Sequence, residues 1–211
     1  AVMKVLLVAT VQSHICQFHK PLVAMLHEHG CEVHVAARNN LAEKNGLKLD
    51  FVEQVFDVLF QRSPFSPKNL GAYKQLKKII DEGGYDVIHC NTPVGGVLGR
   101  LAARKARRHG TKVFYTAHGF HFYKGAPKKN WLIWYPVEKF MCRYTDKLIT
   151  ITQEDYDLAS AKFPAQVERI HGVGANAAKY RKRSKTECIA LRHELGYADD
   201  DKLLLCTGEL L

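Results

Sequence analysis

Short apolar runs, each followed by a stretch with helical spacing, recur along this chain, and that alternation limits its fold more than any other feature. The runs at residues 3–9, 31–37, 52–58, 85–90, 112–117, 147–152 and 167–170 are near-continuous in apolar character, as strands covered on both faces must be. Helical patterns separate them over residues 16–29, 69–82, 94–109, 129–144 and 153–162. Gly30 and Gly110 stand where helix C-caps belong, and Gly83 with Gly84 ends another helix. Strict β-α alternation predicts an α/β fold: a doubly wound parallel sheet with right-handed crossovers.

The pattern changes after Ile170. Residues 171–185 are rich in Gly, Ala and basic side chains without an apolar period, a short helix follows over 186–195, and 202–207 reads as a new buried strand. A lone strand cannot bury itself. The expected organisation is therefore a Rossmann-like domain over 1–170, an interdomain hinge and helix over 171–201, and over 202–211 the first strand of a second domain that is cut short.

Composition narrows the setting. No run approaches the ~18 apolar residues that cross a bilayer, and the first strand is too short and too soon followed by polar residues for a signal peptide. The six cysteines are scattered and form no C-x-x-C pair. This suits a reducing compartment, so the cytoplasm is expected. Lys and Arg number 31 against 21 Asp and Glu, a net charge of +10. Such an excess favours nucleic acid, acidic lipid or phosphorylated substrates without choosing among them. No nucleic-acid motif is present and the basic residues are dispersed, which disfavours the first.

Ligands of open α/β sheets bind beyond the carboxyl ends of the strands. Those positions carry Val11-Gln12-Ser13-His14, Asn91-Thr92-Pro93-Val94-Gly95-Gly96 and His118-Gly119-Phe120-His121. The first loop lacks G-x-G-x-x-G, so it is not built to hug a dinucleotide pyrophosphate. It offers His14, which can bind a sugar hydroxyl or phosphate or can simply lie in solvent at the helix start. Asn91 and Thr92 are candidate ligand-binding residues. Gly95, Gly96 and Gly99 fit tight helix-to-sheet packing better than an anion cradle. His118 sits at a rigid strand end before Gly119, which permits a sharp turn. His118-x-x-His121 lacks a third ligand with compatible spacing, so no metal is expected.

Two basic stretches remain. Lys124, Lys128 and Lys129 precede Trp131, Ile133, Trp134, Tyr135 and Phe140, a composition suited to a lipid interface. The competing reading is an aromatic core helix with a solvated basic end, which accounts for Leu132 and Val137. Arg100, Arg104, Lys105, Arg107 and Arg108 form a second basic face, expected to be solvated surface. Tyr135-x-x-x-Lys139 has a dehydrogenase spacing without the matching glycine fingerprint, and is treated as coincidence.

The segments VFYTAHGFHFYKG and NWLIWYPVEKFMCRYTDKLITITQEDYDLASAKF, with SHICQFHKPLVAMLHEHGCEVHVAA near the start, closely resemble the family-4 glycosyltransferases of bacterial capsule and exopolysaccharide clusters. IHGVGANAAKY resembles the family's hinge, although Ala175 and Asn176 depart from its usual G-V-G-V-D, and LLLCTGELL resembles the first strand of its second domain. The resemblance implies the N-terminal, acceptor-side half of a two-domain GT-B fold. It further implies sugar transfer from a nucleotide donor, with retention and no required metal or other cofactor, to an acceptor that is often lipid-linked at the inner membrane surface. By motif, His118 is the catalytic histidine that touches the transferring sugar. His14 faces the donor phosphates and acceptor, and Asn91, Thr92, Gly119, Phe120 and His121 line the cleft. Lys124, Lys128, Lys129, Trp131 and Trp134 would meet the membrane. The rivals are a nonenzymatic module for an anionic partner such as nucleic acid, and a GT-B sugar-nucleotide epimerase.

Overall fold

A computed structural model of the chain describes residues 2–44, 46–174 and 181–206. They form two compact units, Ala1–Val173 and Gly174–Leu211. The first holds seven strands: β1 (Lys4–Val11), β2 (Glu32–Arg38), β3 (Gln54–Asp57), β4 (Val87–Asn91), β5 (Lys112–Ala117), β6 (Lys147–Thr150) and β7 (Gln166–Arg169). Every pairing is parallel and the order is β3-β2-β1-β4-β5-β6-β7. Each strand falls inside or beside a run anticipated from sequence.

Alternation along β1 explains why a continuous apolar run is needed. Val5, Leu7 and Ala9 join Val33, Val35, Ile15 and Val23 in one core, whereas Leu6 and Val8 join Ile88, Leu76, Val113 and Phe122 in the other. The first core is closed by α1 (Gln12–Phe18) and α2 (Lys20–Glu28). The second is covered by α3 (Asn69–Gly83), α4 (Pro93–Ala102) and α6 (Lys128–Met141). The short α5 (Arg104–Arg108) extends α4, and α7 (Gln153–Lys162) joins β6 to β7.

Two expected helices are broken. The one anticipated over 16–29 starts at Gln12 and divides at His19, because Pro21 lacks an N–H and opens a new helix at its first turn. The one over 94–109 divides at Ala103. Helix α4 lies close on the sheet. A Cβ on Gly95 would stand 2.9 Å from Ala9, on Gly96 2.5 Å from the Tyr115 ring, and on Gly99 2.6 Å from Cys90 Sγ. The three glycines serve packing, as their spacing suggested.

Arg100 corrects the expectation of a solvated basic face. It is completely buried under α4, where its Nη2 donates to Glu138 Oε2 at 2.9 Å, its Nε donates to Gly96 O at 2.8 Å, and its guanidinium lies 3.9 Å from the Tyr115 ring centroid. Burial works most strongly against that charge, but Glu138, together with Tyr115 and Cys142, outweighs it and raises the guanidinium pKa. Arg107 pairs with both oxygens of Asp146 at 2.9 and 3.1 Å, and Arg104, Lys105 and Arg108 stay exposed. Helix α6 also differs from expectation. Trp131 and Trp134 pack on the core, so the apolar side chains it shows to solvent are Leu132, Ile133 and Phe140.

In the second unit, α8 (Lys185–Glu194) begins with a complete capping box, Ser184 Oγ accepting from Glu187 N and Glu187 accepting from Ser184 N. The strand expected at 202–207 is absent over 202–206, which pair with no strand and leave Leu204 and Leu205 exposed. Thr207 and the hinge residues Ala175 and Asn176 lie outside the described residues.

Candidate active site

The chain direction reverses its progress across the sheet between β1 and β4, which are neighbours although β2 and β3 intervene in sequence. The crevice beyond such a switch point is the general ligand position of this architecture. Here four histidines converge. His14 on α1 and His118 beyond β5 meet edge to face with centroids 4.7 Å apart. His19, at the α1–α2 break, lies 5.3 Å from His14 and 6.0 Å from His89 of β4. The break set by Pro21 is what turns His19 inward.

Their partners fix some nitrogens and leave others. Asn91 is fully buried; its Nδ2 donates to His89 O at 3.2 Å, so its Oδ1 accepts from His19 Nε2 at 3.0 Å. His89 Nε2 lies 2.7 Å from Thr116 Oγ1. The Nε2 atoms of His14 and His118 and Nδ1 of His19 are buried without a hydrogen-bond partner in the protein. Buried polar atoms in that condition mark positions that a ligand can satisfy. Burial, and then the neighbouring imidazoles, lower the pKa of His14 to about 3, and the same causes bring His89 to about 3. Burial also lowers His19 and His118. All four are therefore neutral near pH 7, and each offers one donor and one acceptor without a charge.

Thr92 joins this crevice in a different capacity. Its φ is +65°, an uncommon backbone for a β-branched residue. The twist places its Oγ1 2.9 Å from Thr10 N and 2.7 Å from Thr10 Oγ1, so it fastens the end of β4 to the end of β1. Asn91 and Thr92 thus act through neighbours: one orients His19, the other closes the switch point.

The loop after β5 is held from α7. Phe120 N donates to Asp155 Oδ2 at 3.3 Å and Lys124 N donates to Glu154. Gly119 bends the chain at φ +116°, and Phe120 stacks on Phe122 with centroids 4.7 Å apart. His121 points to Trp134, 5.5 Å away, rather than toward His118. Phe120 and His121 line a cavity of about 180 Å³ between α4, α6 and the loop preceding α3. Among the described residues no group of three His, Cys, Asp or Glu could hold a metal ion.

Sequence reasoning did not single out His19, His89, Arg62 or Phe65. The strand-end rule that found His14 and His118 applies equally to β3, whose following loop carries Gln61-Arg62-Ser63-Pro64-Phe65. His19 needed the helix break, for which Pro21 was the signal.

Comparison with known proteins fits this geometry. The profile of the family described as glycosyl transferase 4-like matches residues 4–152, from β1 through β6. EpsD of Bacillus subtilis (strain 168), provisionally named a glycosyltransferase, is 51% identical over 209 residues, which are 98% of this chain and 53% of EpsD. An Escherichia coli UDP-Gal:α-D-GlcNAc-diphosphoundecaprenol α-1,3-galactosyltransferase is 28% identical over 127 residues, 57% of this chain and 32% of the relative. The chain thus spans about half the length of EpsD and a third of the galactosyltransferase. Among solved structures, HepE of Anabaena with UDP and glucose has a TM-score of 0.60 at 20% identity, covering 92% of this chain and 50% of HepE. A UDP-N-acetylglucosamine 2-epimerase has 0.57 at 16% identity, covering 79% of this chain and 47% of the epimerase. These two share the fold.

Proposed function

The chain belongs to the glycosyl transferase 4-like family, and from that premise we propose that it supplies the acceptor-side half of an enzyme that moves a sugar from a nucleotide donor to a lipid-linked saccharide. The transfer proceeds with retention, without a required metal, in cell-surface polysaccharide synthesis at the cytoplasmic face of the membrane. The supporting observation is the neutral histidine cluster at the switch point, with the Nε2 atoms of His14 and His118 unpartnered. His118 contacts the transferring sugar and His14 binds the donor phosphates or the acceptor. A neutral imidazole can hydrogen-bond a hydroxyl there and strengthen that bond as charge develops in the transition state. Since the fold is shared with epimerases, it does not choose between the two chemistries; the likeness to EpsD and to a transferase with a diphosphoundecaprenol acceptor favours transfer. A nucleic-acid role is disfavoured because Arg100 and Arg107 are tied to internal carboxylates.

In the full-length transferase, His118→Ala lowers turnover by about 10²-fold with the fold intact, measured with nucleotide-sugar donors and a lipid-linked acceptor. An unchanged rate moves the site elsewhere.

Among the described residues no helix is long and apolar enough to cross a membrane. The exposed Lys124, Lys128 and Lys129 beside Leu132 and Ile133 support peripheral contact with anionic lipid, each basic side chain contributing about 1 kcal/mol. Co-sedimentation with phosphatidylglycerol vesicles is expected to fall with salt and with Lys→Glu changes at these three positions. Equal binding by both proteins discards the contact.

A further inference from the structure

The 180 Å³ cavity does not end at its aromatic walls. It adjoins a second space of about 280 Å³, and the two share Pro64, Pro93, Val94, His121 and Trp134. The inner slot is lined by Val97, Leu98, Ile133 and Val137, with one carboxylate, Glu138, whose charge Arg100 balances. The outer space is also largely apolar, but it adds the polar groups of Thr10, Thr92 and Arg62 beside the switch point. Arg62 is exposed and takes part in none of the ion pairs of the described residues. Its backbone is nonetheless held, because Asn69 accepts from Gln61 N at 2.9 Å and donates to Ser63 O at 2.9 Å, gripping the chain on either side of Arg62. At the rim Phe65 stands 76% exposed, its ring 6.2 Å from Trp134. An apolar slot, an exposed aromatic at its lip and an unpaired cation at its mouth together match a molecule with an apolar chain and an anionic head.

We infer that this slot binds the isoprenoid or alkyl chain of a phosphorylated amphiphile, with the phosphate held at the mouth by Arg62. The apolar walls set the direction, since a phosphate entering first would have to shed its water among Val97, Leu98, Ile133 and Val137. The head group then lies against Thr10 and Thr92, at the switch point that the histidines share. The inference rests on the proposed lipid-linked acceptor and names where its first carbons sit.

The chain contains two tryptophans, both in α6, and Trp134 lines slot and mouth. Tryptophan emission therefore reports occupancy without any transfer reaction. Farnesyl phosphate, below its aggregation threshold, is expected to give a saturable change that is lost in Trp134→Phe. Farnesol is expected to bind at least tenfold more weakly, and inorganic phosphate to give no change. Arg62→Glu should weaken farnesyl phosphate at least tenfold while leaving farnesol unaffected. Ile133→Glu, at a half-exposed wall position, should weaken both, with the far-UV spectrum unchanged. Equal affinity for farnesol and farnesyl phosphate, or binding indifferent to Ile133→Glu, overturns the inference, as does an emission change that follows protein concentration alone and so reports a second copy. If farnesyl phosphate binds as described but the full-length enzyme transfers nothing to lipid-linked acceptors, the slot stands and the acceptor reading falls. Transfer at equal efficiency to long-chain and chainless acceptors, without farnesyl phosphate binding, removes the slot and leaves the transferase.

Discussion

Two buried polar clusters in this molecule answer the same physical problem in opposite ways. Arg100 and Glu138 pair directly at 2.9 Å beneath α4, with only Nη1 of the guanidinium left without a partner. His14, His19, His89 and His118 instead give up their charge, and three of their nitrogens remain without a protein partner. A buried pair whose charges face each other has little charge left for a ligand. A buried neutral group with an open valence has lost solvation without replacing all of it, and a sugar hydroxyl or phosphate can supply the rest. The contrast separates a charged internal pair from a neutral cluster whose open valences a ligand can complete.

The largest test of this contrast is to break the pair. Glu138→Leu leaves Arg100 charged and alone, and is expected to destabilise the domain by about 3–5 kcal/mol in urea denaturation. Adding Arg100→Leu should recover most of that loss, because a buried pair replaced by apolar residues is often neutral. Additive losses would mean that the two side chains do not depend on each other.

Acid is the next test, and it acts on the histidines. Their folded pKa values lie below the ordinary 6.5, so the unfolded chain takes up protons first as pH falls. Stability is fully present above about pH 6.5 and declines as pH drops from there toward 3. By pH 5.5, His14 and His89 should each have removed about 1 kcal/mol. Denaturation midpoints at pH 7.5 and 5.5 measure it, and His89→Gln should remove its share of the dependence. A flat profile would show the imidazoles protonated in the fold.

The smallest and sharpest change converts one solution into the other. Asn91→Asp places a carboxylate 3.0 Å from His19 Nε2, the distance now occupied by the amide. The His19 pKa should rise by about 1–3 units, read by imidazole NMR titration. No rise would mean that burial dominates even a direct counter-charge.

Much of this was legible in the sequence, and the gaps have physical causes. The seven strands were readable because a parallel sheet must be apolar on both faces, as Val5 to Ala9 are. His14 and His118 were readable because strand ends are where such sheets bind ligands. Arg100 was misread because a charge run on a helix says nothing about which member faces the sheet; Glu138, its counter-charge, lies 38 residues away. Trp131 and Trp134 were misplaced for a related reason. The period of α6 is interrupted by aromatic residues on every face, so composition could not choose which side packs on Phe122. The slot was illegible because its walls come from separate stretches, α4, α6 and the loops after β3 and β5, that only the folded sheet brings together.

The three glycines of α4 carry one more consequence. They fix the height of that helix above the sheet, and its first residues, Pro93 and Val94, border the slot while Thr92 borders the histidine crevice. On the proposed reading, α4 is a ruler. An acceptor anchored by its tail reaches His118 only with whichever hydroxyl lies at that span, so the choice of linkage would be set by the absence of a methyl group at positions 95, 96 and 99.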